Sequence, residues 1–234
     1  VSVMIEPTNA CNFSCVMCPN KLMKRKKGFM EFELFKLILR KCEEAKIPHI
    51  YLYAAGEPLL HPDFFFFFRL SALSPTIKRI EFFTNGSLLD ELYIREIIKT
   101  KKCIVHFSFS GWDKESYEDR YRGGVFEETV KKIKLFNQIT REAGMPPSSL
   151  TINGLVDHDF AKKRTIDFLK NSLGLEVCQL VISNPFNWIG FVSKKDNNNS
   201  RESCNGKKPK RYWCQLINIA NGILYDGRVT ACGC

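Results

Sequence analysis

Three cysteines fall close together in the segment Cys11-Asn-Phe-Ser-Cys15-Val-Met-Cys18, a C-x3-C-x2-C loop. Thiolates so spaced ligate metal. A zinc ribbon draws its four ligands from two separate C-x2-C pairs, whereas here one loop supplies three. Three thiolates on a four-iron cube leave one iron without a protein ligand, and that open iron is what a catalytic cluster needs. Zinc, or an electron-transfer cluster, is the competing reading. The chain has ten cysteines in all, the others being Cys42, Cys103, Cys178, Cys204, Cys214, Cys232 and Cys234. Val1 opens directly into strand-like sequence without a signal peptide, so the chain reads as cytoplasmic, where thiols stay reduced and metal ligation outweighs a disulfide framework.

The elements that position this loop follow a repeating plan. Val1 to Glu6 reads as a strand running into Pro7, Thr8 and Asn9 and then the cysteines. A helix should follow from Glu31 or Phe32, its apolar face including Cys42 as a small hydrophobe. Strands are expected at His49–Tyr53, Ile80–Phe83, Cys103–Phe109, Leu150–Val156 and Val177–Ser183. Helices are expected from His61-Pro62-Asp63 to about Leu73, and at Leu88–Lys99, Phe126–Ala143 and Ala161–Leu173. Short strands alternating with longer helices imply parallel pairing through right-handed crossovers. Six units give an α/β fold, a partial (β/α)6 TIM-like barrel over residues 1–184, whose chemistry sits on the loops after the strands. Residues 185–212 form a basic, polar linker containing Asn197-Asn198-Asn199-Ser200 and Lys207-Lys208-Pro209-Lys210-Arg211. Residues 213–234 are expected to form a small cysteine-containing β-hairpin appendage, with turn signals at Asn221-Gly222 and Asp226-Gly227.

The 234 residues amount to about one and a half domains, enough for a full core with something small attached. At 44% hydrophobic and 26% charged the chain is not disordered, and no apolar run is long enough to span a membrane. Lys and Arg outnumber Asp and Glu by 35 to 25, which suits an anionic substrate, a nucleic acid or a membrane surface without selecting among them.

The cysteine loop, placed directly after the first strand of a βα series, resembles that of the radical S-adenosylmethionine superfamily. The resemblance implies a four-iron four-sulfur cluster on Cys11, Cys15 and Cys18, whose free iron chelates S-adenosylmethionine and cleaves it to a 5′-deoxyadenosyl radical. Met17 stands where family members often have an aromatic residue near the adenine. Ala54-Ala55-Gly56-Glu57-Pro58 is similar to the family's Gly-Gly-Glu-Pro motif. Through it the resemblance places Ala55, Gly56, Glu57 and Pro58 at the methionyl amino group, with a small residue needed where backbone approaches the ligand. Thr84-Asn85-Gly86 and Ser108-Phe-Ser110-Gly111 end the third and fourth strands where the family contacts ribose and carboxylate, so Asn85 and Ser108 are candidates. Arg122, in Tyr121-Arg122-Gly123-Gly124, resembles a carboxylate-reaching Arg, and Asn153 is a weaker strand candidate.

Cys214-x12-Gly227-x4-Cys232 resembles the opening of a SPASM/twitch auxiliary-cluster region, which implies Cys214, Cys232 and Cys234 as further ligands. The family pattern continues past the point where this chain stops, and Cys204 is a possible recruit. The resemblance implies an oxidoreductase or modifying enzyme that abstracts hydrogen from a peptide or a small carbohydrate-like molecule, drawing electrons from ferredoxin or flavodoxin. An RNA-modifying radical enzyme is the alternative prompted by charge, but no RNA-binding module is recognisable and nucleic acid is disfavoured. A non-enzymatic iron–sulfur or zinc module would leave Gly56-Glu57-Pro58 unexplained.

Other features have plain structural readings. Cys103 and Cys178 sit in apolar strands as core residues. His49, His61, His106 and His158 show no ligand spacing, and His61 is a helix-start feature. Lys21 and Lys24-Arg25-Lys26-Lys27 read as a solvated face. Phe64 to Phe68 puts five rings on one helix, so some must face outward against a partner or further chain.

Overall fold

The structure, a computed structural model, describes residues 2–184 and 220–230. Strand–helix units recur along it: β1 (Ser2–Ile5), α1 (Phe32–Glu44), β2 (His49–Leu52), α2 (Phe64–Leu73), β3 (Arg79–Thr84), α3 (Glu91–Lys99), β4 (Cys103–Ser108), α4 (Lys114–Glu118), α5 (Phe126–Glu142), β5 (Leu150–Leu155), α6 (Asp159–Leu173) and β6 (Leu180–Ser183). A hairpin follows, β7 (Ala220–Ile223) and β8 (Val229–Thr230). The strands form one sheet in the order β6-β5-β4-β3-β2-β1-β7-β8, parallel throughout except for the antiparallel pair β7–β8. The edge strands β6 and β8 do not pair with each other, so the sheet is the unclosed wall of a partial barrel. Among the described residues no helix is long and apolar enough to cross a membrane.

Side chains alternate between the two faces of this wall. On β4, Cys103, Val105 and Phe107 are buried against the helices while Ile104, His106 and Ser108 take the opposite, partly exposed face. Each helix returns an apolar stripe to the sheet: Phe35, Ile38, Leu39 and Cys42 on α1, and Ile94, Ile97 and Ile98 on α3. Asp90 caps α3 by accepting from the Tyr93 N–H at 2.8 Å, and Gly174, at φ 63°, ends α6 in the left-handed conformation.

The structure corrects several expectations. Helix α4 is too short for periodicity to reveal, and its signal is local: Asp113 and Ser116 close a capping box. The sixth strand begins only at Leu180, because Val177–Gln179 forms a 3-10 turn boxed by Glu176 and Gln179. Cys178 lies on that turn and is exposed, not core. Asn221-Gly222 lies inside β7; only Asp226-Gly227 makes a turn, Gly227 taking φ 84°. The C-terminal hairpin joins the barrel sheet: β7 pairs with β1 over Ser2↔Ala220 to Ile5↔Ile223. In the phenylalanine run, Phe64, Phe67 and Phe68 are buried, Phe65 stacks on Tyr93 at 3.6 Å, and only Phe66 is exposed. The linker, Cys204, Cys214, Cys232 and Cys234 lie outside the described residues.

Candidate active site

The loop leaving β1 carries Cys11, Cys15 and Cys18 half-buried at the C-terminal end of the parallel strands. Backbone N–H groups reach two of the sulfurs: Phe13 N donates to Cys11 Sγ at 3.4 Å and Asn20 N to Cys18 Sγ at 3.5 Å. Burial, and then the charges of Cys18 and Cys11, push the Cys15 thiol up to about 12. Burial also raises Cys11 and Cys18. Three thiols raised by burial and, at Cys11 and Cys15, by one another fit a site where cations relieve the repulsion and displace the protons. Three thiols from one loop fit a four-iron cluster, which takes one thiolate per iron and leaves one iron open.

The loop is held by the ends of three neighbouring elements. Beyond β2, Glu57 N donates to Ala10 O at 2.8 Å. A Cβ on Gly56 would lie 2.5 Å from Thr8 O and closer still to Ala10 O. The close approach that demands glycine here is to the chain's own loop. Beyond β3, Asn85 Nδ2 donates to Asn12 Oδ1, and Asn12 Nδ2 to Ser87 Oγ, each at 2.9 Å. Beyond α4, the carbonyls of Arg122 and Arg120 accept from Ser14 N at 2.8 Å and Val16 N at 2.9 Å. Gly123, at φ 94°, lets that segment turn against Asn12 and Phe13.

The candidate residues take distinct positions around this loop. Glu57 is fully buried: Oε1 accepts from Thr84 Oγ1 at 2.8 Å and Leu59 N at 3.3 Å, and Oε2 from Asn85 N at 2.7 Å. Burial outweighs these donors and raises its carboxyl to about 7. Its side chain thereby ties β2 to β3 inside the protein. Pro58 starts a 3-10 turn beside it. Ala55 O accepts from Asn20 Nδ2, joining the motif after β2 to the cysteine loop. Met17 is buried in the core beneath the loop. Ser108, half-buried at the end of β4, neighbours Asn153 on β5. The Arg122 side chain is exposed, and it is the backbone of its segment that grips the loop.

Two further polar groupings stand out, the second of them not legible in the sequence. His61 Nε2 lies 2.8 Å from Met30 O while Nδ1 accepts from Asp63 N at 3.0 Å, a structural role that sets Nε2 as the protonated nitrogen. On the inner wall of the barrel, Glu81 on β3 lies between His106 Nε2 on β4, at 2.7 Å, and His49 Nε2 on β2, at 3.0 Å. The other ring nitrogen of His106 meets Thr151 Oγ1 and Asn153 Nδ2 on β5. Burial opposes ionisation of Glu81, yet the two imidazoles hold it down to about 2. No motif marks these residues; parallel register alone assembles them.

Comparison with known proteins agrees with this geometry. The family model for the radical SAM superfamily matches residues 5–169, and the chain belongs to that superfamily. Its members are enzymes built around a four-iron four-sulfur cluster and S-adenosylmethionine. The tungsten-containing aldehyde ferredoxin oxidoreductase cofactor-modifying protein of Pyrococcus furiosus is 26% identical over 184 residues, 77% of this chain and 50% of that protein. The chain spans about half the length of the curated relatives it matches. SuiB of Streptococcus suis bound to S-adenosylmethionine shares the fold at TM-score 0.72 and 16% identity, over 99% of this chain and 60% of that one. BtrN in complex with S-adenosylmethionine and 2-DOIA shares it at TM-score 0.58 and 15% identity, over 99% and 72% of the two chains.

Proposed function

We propose that this chain reductively cleaves S-adenosylmethionine and uses the product to abstract hydrogen from an unactivated carbon of a peptide or a small carbohydrate-like molecule. The observation that carries the reading is the three-thiol loop at the end of β1, gripped by Gly56, Asn85 and the backbone of Arg120 and Arg122. Cys11, Cys15 and Cys18 hold the cluster. When bound, the cluster with S-adenosylmethionine supplies a 5′-deoxyadenosyl radical. The backbone of Ala55, Gly56 and Pro58 serves the amino group, while the Glu57 carboxyl keeps that backbone in register with Asn85. Asn85 and Ser108 serve the ribose and carboxylate, Arg122 reaches the carboxylate from the rim, and Met17 packs under the loop. Cys214, Cys232 and Cys234 ligate an auxiliary cluster, and ferredoxin or flavodoxin supplies electrons. SuiB has been solved with a precursor peptide, which supports the peptide substrate. The Pyrococcus relative, named for modifying a cofactor, supports the small molecule.

The test is anaerobic. Reconstituted with iron and sulfide, then given dithionite and S-adenosylmethionine, the protein should form 5′-deoxyadenosine and methionine, and lose that activity without Cys11, Cys15 or Cys18. Bound iron without cleavage would overturn the proposal.

A further inference from the structure

Residues 25–28 follow the cysteine loop as part of a basic run that reads as solvated, yet Arg25 reaches inward to a buried carboxylate and Lys26 and Lys27 are tied to the flanks of the loop. The Glu6 carboxylate, at the end of β1, is fully buried and receives both arms of Arg25, at 2.9 and 2.7 Å. A buried carboxylate needs such a partner, and the two-pronged geometry fixes the backbone that carries the arginine. A second donor to the Glu6 carboxylate lies 219 residues away, in the turn of the C-terminal hairpin: Tyr225 N donates to Glu6 Oε2 at 3.2 Å. The Tyr225 hydroxyl then crosses to donate to Lys26 O at 2.9 Å. Its ring lies over Gly28, where a Cβ would meet Tyr225 Cζ at 2.7 Å.

The strand of contacts continues to the thiols. Lys26 O also accepts from Asn9 Nδ2 at 3.0 Å, and Asn9 Oδ1 accepts from Gly28 N at 2.9 Å. Lys27 Nζ donates to Asn9 O at 3.0 Å and to Asn20 Oδ1 at 2.6 Å. Asn9 lies two residues before Cys11, and Asn20 N is the donor to Cys18 Sγ. Tyr225 therefore reaches the thiol loop from outside the segment that the family model matches, residues 5–169.

We propose that the C-terminal hairpin is a clasp on the cysteine loop, with Tyr225 and the Glu6–Arg25 pair as positioning residues that set how firmly Cys11, Cys15 and Cys18 hold an iron–sulfur cluster. This rests on the reading of those cysteines as cluster ligands. The hairpin acts by ordering residues 25–28, through which Asn9, Asn20 and Lys27 order both flanks of the loop.

The test compares Tyr225→Phe, which removes only the hydroxyl donor, and Arg25→Met with the unaltered chain and with Arg25→Lys. Two readouts are followed: the rate of iron loss from the reconstituted protein to a ferrous chelator, and hydrogen exchange of residues 24–29 in the metal-free protein. Circular dichroism confirms the fold of each variant. The expected result is iron loss several-fold faster and faster exchange confined to residues 24–29 and the thiol loop, with Arg25→Lys recovering part of the effect. Unchanged exchange in well-folded Tyr225→Phe and Arg25→Met, together with unchanged iron loss, would overturn the clasp. Failure of the unaltered chain to take up any iron would instead overturn the ligand assignment, which the exchange measurement does not depend on.

Discussion

Glu57 Oε2 accepts a hydrogen bond of 2.7 Å from the backbone N–H of Asn85, joining the ends of β2 and β3 directly behind the cysteine loop. Because burial raises this carboxyl to about 7, the folded state binds its proton more tightly than the unfolded chain does. Its stabilising contribution is full below the unfolded value near 4.5 and is lost as pH rises toward 7. A shift of that size is worth roughly 3 kcal/mol. Glu57→Gln should flatten the fall in melting temperature between pH 5 and 7; an unchanged pH profile would refute this.

Glu81 behaves in the opposite sense. Held at about 2 by His106 and His49 against the effect of burial, it stabilises the folded state above the unfolded value near 4.5. That contribution disappears as pH falls through about 2. Glu81→Gln should destabilise the protein at pH 7 by about 2–3 kcal/mol and weaken the dependence of its urea midpoint on pH in the acid range.

Gly56→Ala puts a methyl group against two backbone carbonyls, neither of which can move like a side-chain tip. Overpacking of this kind costs about 1–3 kcal/mol or displaces the loop. The variant should lose thermal stability and bind less iron, while the positions of β1 and β2 persist; full iron content at an unchanged melting temperature would contradict the packing shown.

Cysteines should separate by position. Cys15→Ala removes a loop thiol and should abolish iron uptake and 5′-deoxyadenosine formation. Cys42→Ala, on the buried face of α1, should leave both intact and cost about 1 kcal/mol in stability. Iron analysis and denaturant unfolding of the two variants check the distinction.

The phenylalanine run makes a sharper contrast between adjacent residues. Phe67→Ala should cost about 3–5 kcal/mol, because its ring is fully buried and stacks on Phe35 at 4.0 Å. Phe66→Ser, at 59% exposure, should change stability by no more than about 0.5 kcal/mol.

The alternating strand and helix units, their order and the three-thiol loop were determined by sequence alone, because period-two and period-3.6 apolar patterns and ligand spacing are local properties of the chain. What escaped it was set by distance in space. Cys178 faces water because a 3-10 turn delays β6, and that turn depends on Gln179 reaching Leu150 O at 3.3 Å on another strand. Glu81 meets His49 and His106 only through parallel register across β2, β3 and β4. The glycine after β2 was legible as a place of close approach, but only the fold identifies the neighbour as Thr8 and Ala10. Arg25 reads as one more solvated charge until the fold buries Glu6 between it and Tyr225, since a buried carboxylate acquires its partners only when the strands that bury it come together.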